Sequence, residues 1–164
     1  MEQLRIKTEE KREIKSCVFT GHRELGEDFS PKKLYEETEK LIKRGVDTFY
    51  SGMAMGFDIM AAFAVLFLKK KYPHVKLVAC IPCYGQEKNF PTETQAHYAE
   101  ILKKADEKVL LSEHYYQGCM QVRDKYMVDN SDVMIAYCKK SKGGAAYTVG
   151  YFKKKYPDGE IVFV

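Results

Sequence analysis

From residue 17 onward, short runs rich in β-branched and aromatic residues alternate with longer runs whose apolar positions recur at helical spacing. The β-type runs are Cys17–Thr20, Asp47–Ser51, Lys76–Ile81, Lys108–Leu111, Val133–Tyr137 and Ile161–Val164. Between them lie helical runs at about Pro31–Lys43, Phe57–Lys71, Glu93–Ala105, Met120–Asn130 and Ala145–Lys155. The β-type runs lack a clean apolar–polar alternation, so both faces of each strand must be covered. That predicts an α/β fold: a mostly parallel central sheet of about six strands with helices on both faces.

Local signals agree with this register. Ser30 before Pro31 is a cap followed by a first-turn proline, Gly45 is a stop, and Thr92 is placed to cap the third helix. The second helix carries Ile59, Met60, Phe63, Leu66 and Phe67 nearly all round, which predicts burial on every side. Phe67 to Pro73 and Tyr151 to Pro157 share the ending Phe/Leu-Lys-Lys-Lys-Tyr-Pro, two equivalent junctions where lysines meet the helix dipole and proline stops the helix.

Size and charge narrow the class. The chain has 164 residues, 45% hydrophobic and 30% charged, with a net charge of +4. That is enough for one core and too weakly basic to imply nucleic acid by itself. Residues 17–164 read as a single domain, and residues 1–16 as an arm or edge element. The longest apolar run, Ile59 to Leu68, is too short for a bilayer, so no membrane partner is expected. Five cysteines without an export signal point to free thiols in the cytoplasm.

Candidate chemistry lies in the loops that follow strands, where open α/β sheets bind ligands. These are Thr20-Gly21-His22-Arg23; Ser51-Gly52-Met53-Ala54-Met55-Gly56-Phe57-Asp58; the segment with Met120, Arg123 and Asp124, whose helix ends Val128-Asp129-Asn130-Ser131-Asp132; and Gly143-Gly144 with Tyr147 and Thr148. Glycines let backbone N–H groups approach a ligand, and helix N-termini favour phosphate. Arg23 or Arg123 would clamp a phosphate, Ser51 or Thr148 would donate hydroxyls, and Asp58 would contact a ribose or brace its turn. With the strand order 3-2-1-4-5-6, these loops would converge in one cleft. Any one of them is an ordinary βα turn; four together predict a site.

Other signals are weaker. Cys80 and Cys83 have redox-motif spacing but lie at a strand end, and no second pair exists to complete a zinc site. Cys17 and Cys138 read as packing thiols. His22 is a candidate proton carrier, Tyr84 and Tyr147 are candidate stacking rings, and Gln86 is placed near the rim.

With those four loops in order, residues 15–164 resemble the SLOG superfamily, and within it the YpsA-like bacterial proteins. The superfamily is named for the Smf/DprA DNA-processing proteins and the LOG enzymes that release cytokinin bases. The resemblance implies a Rossmann-like three-layer sandwich whose pocket takes nucleotides or nucleotide-derived ligands, with no other cofactor and no metal. On the matching motifs it implies ligand contacts from Gly21, His22, Arg23, Ser51, Gly52, Met53, Gly56, Asp58, Arg123, Asp124, Ser131, Gly143, Gly144 and Thr148. Two departures stand out: Arg123-Asp124 replaces Arg-Asn, and Gly143-Gly144-Ala145 replaces Gly-Gly-Thr. The LOG pattern also places a glutamate one turn into the last helix, whereas Val149, Gly150 and Tyr151 follow Thr148 here.

Three functions follow. The first is a cytosolic sensor or regulator that binds a nucleotide-like ligand. The second is a nucleotide-processing hydrolase of LOG type, with Asp58, Asp124 or His22 moving protons. The third is single-stranded nucleic-acid binding, as in the DprA-like relatives. Self-association is a further expectation.

Overall fold

A computed structural model of the chain describes residues 13–164. The arm expected for residues 1–16 therefore falls largely outside the described residues, and Ser16 already belongs to the first strand.

Six strands form one sheet: β1 (Ser16–Gly21), β2 (Thr48–Ser51), β3 (Lys76–Ile81), β4 (Glu107–Leu110), β5 (Val133–Tyr137) and β6 (Glu160–Phe163). Five α-helices connect them: α1 (Pro31–Lys43), α2 (Phe57–Lys69), α3 (Thr92–Lys104), α4 (Cys119–Asp129) and α5 (Gly144–Lys155). Every strand pairing is parallel. The fold is thus a Rossmann-like α/β sandwich, and its central strands are buried on both faces, as their continuous apolar character requires.

The spatial order is β4-β3-β2-β1-β5-β6, not 3-2-1-4-5-6. The walk outward from β1 runs one unit further than expected before it reverses. Helices α1, α2 and α3 pack side by side on one face, and α4 pairs with α5 on the other. That division is what right-handed crossovers produce when the direction of travel changes. The reversal lies between β1 and β5, so the crevice of an open sheet opens at their carboxyl ends. Reaching α4 from the edge strand β4 takes the long segment 111–118, which the expected order did not call for.

Ser30 accepts the Lys33 amide at 3.1 Å and caps α1 as expected, and Gly45 follows the helix with φ +112°. Thr92 does not act as a cap. It is the first residue of α3, whose cap position is Pro91 and carries no side-chain bond. Helix α2 is only partly enclosed: Phe57, Ile59, Ala61, Ala62, Val65 and Leu68 are buried, but Phe67 is 59% exposed beside Tyr35 and Lys70. A helix on one face of a sheet always keeps a side away from it, and here that side is apolar. No helix among the described residues is long and apolar enough to cross a membrane.

Candidate functional site

The crevice is built by two glycine turns and a buried arginine. Strand β1 ends at Gly21, where a Cβ would lie 2.3 Å from the Phe57 ring, so only glycine lets the start of α2 pack this close. The His22 carbonyl then accepts the Phe57 amide at 3.1 Å. Gly56 completes the interlock. Its φ is +81°, and a Cβ there would stand 2.2 Å from the Arg23 carbonyl oxygen.

Inside the turn before α2, the Ser51 hydroxyl donates to the Asp58 carbonyl at 3.1 Å and accepts the Met53 amide at 3.3 Å. Met53 has φ +59°, a left-handed conformation uncommon outside glycine, and its side chain is fully buried. The Asp58 carboxylate accepts the Ala54 amide at 3.2 Å. Burial pushes this carboxyl up to about 7; Arg123 works against that rise and Asp124 adds to it.

Arg123 rises from α4 and is 4% exposed. It donates to the Gly52 carbonyl through Nη1 and to Asp124 Oδ1 through Nε at 2.7 Å. Gln86 donates to the same Gly52 carbonyl at 3.2 Å. A Cβ on Gly52 would meet the guanidinium at 2.8 Å, so that glycine makes room for arginine. The other oxygen of Asp124 accepts the Thr148 hydroxyl at 3.2 Å, and that hydroxyl lies 3.0 Å from the Gly144 carbonyl. One chain of polar contacts thus runs from the α2 turn through α4 to the α5 turn, and among the described residues no buried side-chain polar atom lacks a partner.

His22 sits beside the end of β5. Its Nε2 accepts the Lys139 amide at 2.8 Å, so its proton is on Nδ1, and the ring stands edge-on to Tyr137. Burial lowers its pKa, and Lys140 lowers it further, so the imidazole is neutral near pH 7.

The turn before α5 is different. Gly143 has φ +107°, and a Cβ on Gly143 or Gly144 would meet nothing within 4 Å. No side chain at the cap position bonds the first amides of this helix.

These parts enclose an inner cleft of about 190 Å³ lined by residues 20–23, Ala54, Asp58, Met120, Arg123, Asp124, Gly144 and Ala145. An outer cleft of about 490 Å³ shares Arg23 and Met120 with it and is walled by Cys83, Tyr84, Gln86, Lys88, Phe90 and Tyr115. Tyr84 and Tyr115 are each more than two-thirds exposed.

The structure therefore gathers Gly21, His22, Arg23, Asp58, Arg123, Asp124 and Gly144 around one cleft, and Gly143 immediately precedes Gly144 at the cap position of α5. Ser51, Met53 and Thr148 are buried behind the wall, where their polar atoms hold the turns. Gly52 and Gly56 are filled by Arg123 and by the Arg23 backbone. Ser131 is at the opposite rim: it precedes β5, is buried, and donates to the Met127 carbonyl at 2.7 Å. Its neighbour Asp132 accepts the Lys15 and Ser16 amides and fixes the start of β1. Sequence reasoning missed Tyr115 and undervalued Met120. Nothing in composition marks either, since the long β4–α4 connection brings them to the rim. No cluster of three metal-ligating side chains occurs among the described residues.

Comparison with known proteins agrees with this architecture. The model of the YspA SLOG family matches residues 14–160. The uncharacterized SPbeta prophage-derived protein YoqJ of Bacillus subtilis (strain 168) is 32% identical over 137 residues, covering 76% of this chain and 80% of YoqJ. The UPF0398 protein YpsA of the same strain is 26% identical over 155 residues, covering 87% and 86%. Among solved structures, DNA processing protein A of Streptococcus pneumoniae superposes with a TM-score of 0.65 at 16% identity, over 92% of this chain and 50% of that one. The Helicobacter pylori protein, described for its single-stranded DNA binding mode, gives 0.59 at 22% identity, over 91% and 65%. The chain thus spans half to about two-thirds of these two structures, and at such identities the likeness is one of fold.

Proposed function

We propose, from the premise that this chain belongs to the YspA SLOG family, that its inner cleft binds the phosphate-bearing part of a nucleotide or nucleotide-derived ligand. The observation that carries this reading is the open turn at Gly143-Gly144. Bare backbone at a helix N-terminus faces empty space there, and such a terminus suits an anion. Arg23, on the wall common to both clefts, supplies an exposed cation for the same phosphate. The outer cleft, with Tyr84 and Tyr115, would receive the base. Arg123 acts by holding Gly52 and Asp124 in place. The protein then works as a cytoplasmic sensor or regulator.

A hydrolase is the second reading, and one observation favours it. The Asp58 carboxyl, held near 7, lies in the range where a group both gives and takes protons at neutral pH. It borders the cleft, as a general acid or base must.

One experiment separates the two. The protein is screened by thermal shift against mono-, di- and cyclic nucleotides, and the hits are incubated and analysed for free base. A shift that Arg23→Ala abolishes, with the nucleotide recovered intact, supports the sensor. Release of base that Asp58→Asn abolishes supports the hydrolase. No shift with any nucleotide refutes both, and salt-sensitive retention of a single-stranded oligonucleotide would then support the nucleic-acid reading.

A further inference from the structure

We infer that the outer face of α5 is a docking surface for an acidic amphipathic helix of a partner protein. A groove of about 630 Å³, larger than either cleft of the candidate site, runs along that helix beside α4. It shares no lining residue with those clefts, so the inference does not depend on the nucleotide reading.

The spacing of the lining residues points to a helix as the occupant. Tyr147, Gly150, Tyr151 and Lys154 line the groove and stand at positions i, i+3, i+4 and i+7 of α5. Four residues so placed form the hole that receives one knob side chain from a facing helix. Gly150 leaves this hole open: a Cβ there would meet nothing within 4 Å. The Tyr147 ring, 40% exposed, and the half-buried Tyr151 ring stand one turn apart on the same helix. Tyr151 is already held, because its hydroxyl donates to Asp129 at 2.7 Å. A wall fixed in advance loses little freedom when a partner arrives.

Charge selects the partner further. Asp129, at the groove, is paired with Lys155. Lys125, from α4, and Lys154 are exposed, and among the described residues neither is in a salt bridge. Lys125 lies instead 5.7 Å from the centroid of the Tyr151 ring. The complementary surface is therefore apolar at its centre, where the knob enters, and carboxylate-bearing at its margins. Two free cations are few for a nucleic-acid backbone, whose binding grows with each phosphate neutralised.

The test titrates the isotope-labelled full chain with a synthetic amphipathic helix of leucine, alanine and glutamate. Amide NMR shifts locate the contact, and anisotropy of the labelled peptide gives the affinity. The expected result is saturable binding that shifts Lys125 and residues 146–155 but leaves the outer-cleft residues 83–90 unmoved. Gly150→Leu, which fills the hole, should weaken binding at least about tenfold, as should Lys125→Glu combined with Lys154→Glu. Lys33→Glu with Lys103→Glu makes the same charge change on α1 and α3, across the sheet, and should leave binding unchanged. Leucine at 150 enters open space and favours a helix, so that variant folds, as thermal unfolding will verify. The proposal is overturned by an absence of saturable binding, by equal binding of the peptide with lysine in place of glutamate, or by tighter binding of a single-stranded oligonucleotide in this groove. Self-association that Gly150→Leu abolishes would assign the hole to a second copy and overturn it as well.

Discussion

The two glycine turns that open α2 and α5 look alike in sequence and do opposite things. In the α2 turn, the space a side chain would need is already taken: by the Arg123 guanidinium at Gly52 and by the Arg23 carbonyl at Gly56. The carbonyls and amides of this turn are also engaged, through Arg123, Gln86, Ser51 and Asp58. In the α5 turn, Gly143 and Gly144 face nothing, and the cap position contributes no side chain. Glycine permits close approach, and only the surroundings say whether what approaches is the protein itself or a ligand.

That contrast can be broken most severely at its hinge. Arg123→Met leaves the half-buried Asp124 without its cation and removes the shorter of the two bonds to the Gly52 carbonyl, so it should cost about 3 kcal/mol or more in urea unfolding. An unchanged midpoint would show that the α2 turn does not depend on arginine. Gly56→Ala comes next, at about 3 kcal/mol, because the new Cβ meets backbone and φ is +81°.

A third test concerns proton uptake within the α2 turn. The folded Asp58 carboxyl keeps its proton to about pH 7, whereas in the unfolded chain it releases near about 3.9. The folded state therefore binds more protons between those values, and stability should fall steadily as pH rises through that window, then level off. Asp58→Asn should remove the slope, which unfolding curves at several pH values would reveal.

The smallest effect on stability is expected where the contrast predicts the largest effect on binding. Gly144→Ala adds a methyl into open space at a helix start and should change stability by less than about 0.5 kcal/mol. It should nonetheless remove the nucleotide-induced thermal shift. If both variants of the α5 turn, Gly143→Ala and Gly144→Ala, bind nucleotide as the wild type does, the open turn is not the cradle.

Much of this architecture was legible in the residues, because strand and helix signals are local. Ser30-Pro31, Gly45 and the unbroken apolar strands each report on their own surroundings. The strand order was not, since it depends on where the walk along the sheet reverses, and that is decided by how helices share a face. The same limit applies to the site. A sequence shows that Ser51 and Thr148 carry hydroxyls at turns but not that those hydroxyls point inward to brace them. Ser131 and Arg123 share one motif, yet the helix between them carries Ser131 to the far rim. Tyr115 owes its place to a connection whose path only the fold defines.

The sheet's two outermost strands have a bearing on self-association. Glu107–Leu110 and Glu160–Phe163 are only four residues each and begin with an exposed glutamate, and Glu160 is gripped by Arg44 through two bonds of 2.9 and 2.7 Å. Short, charged borders make poor templates for adding a strand from another molecule. Copies of this chain that meet in solution should therefore do so helix against helix, leaving each sheet a closed unit.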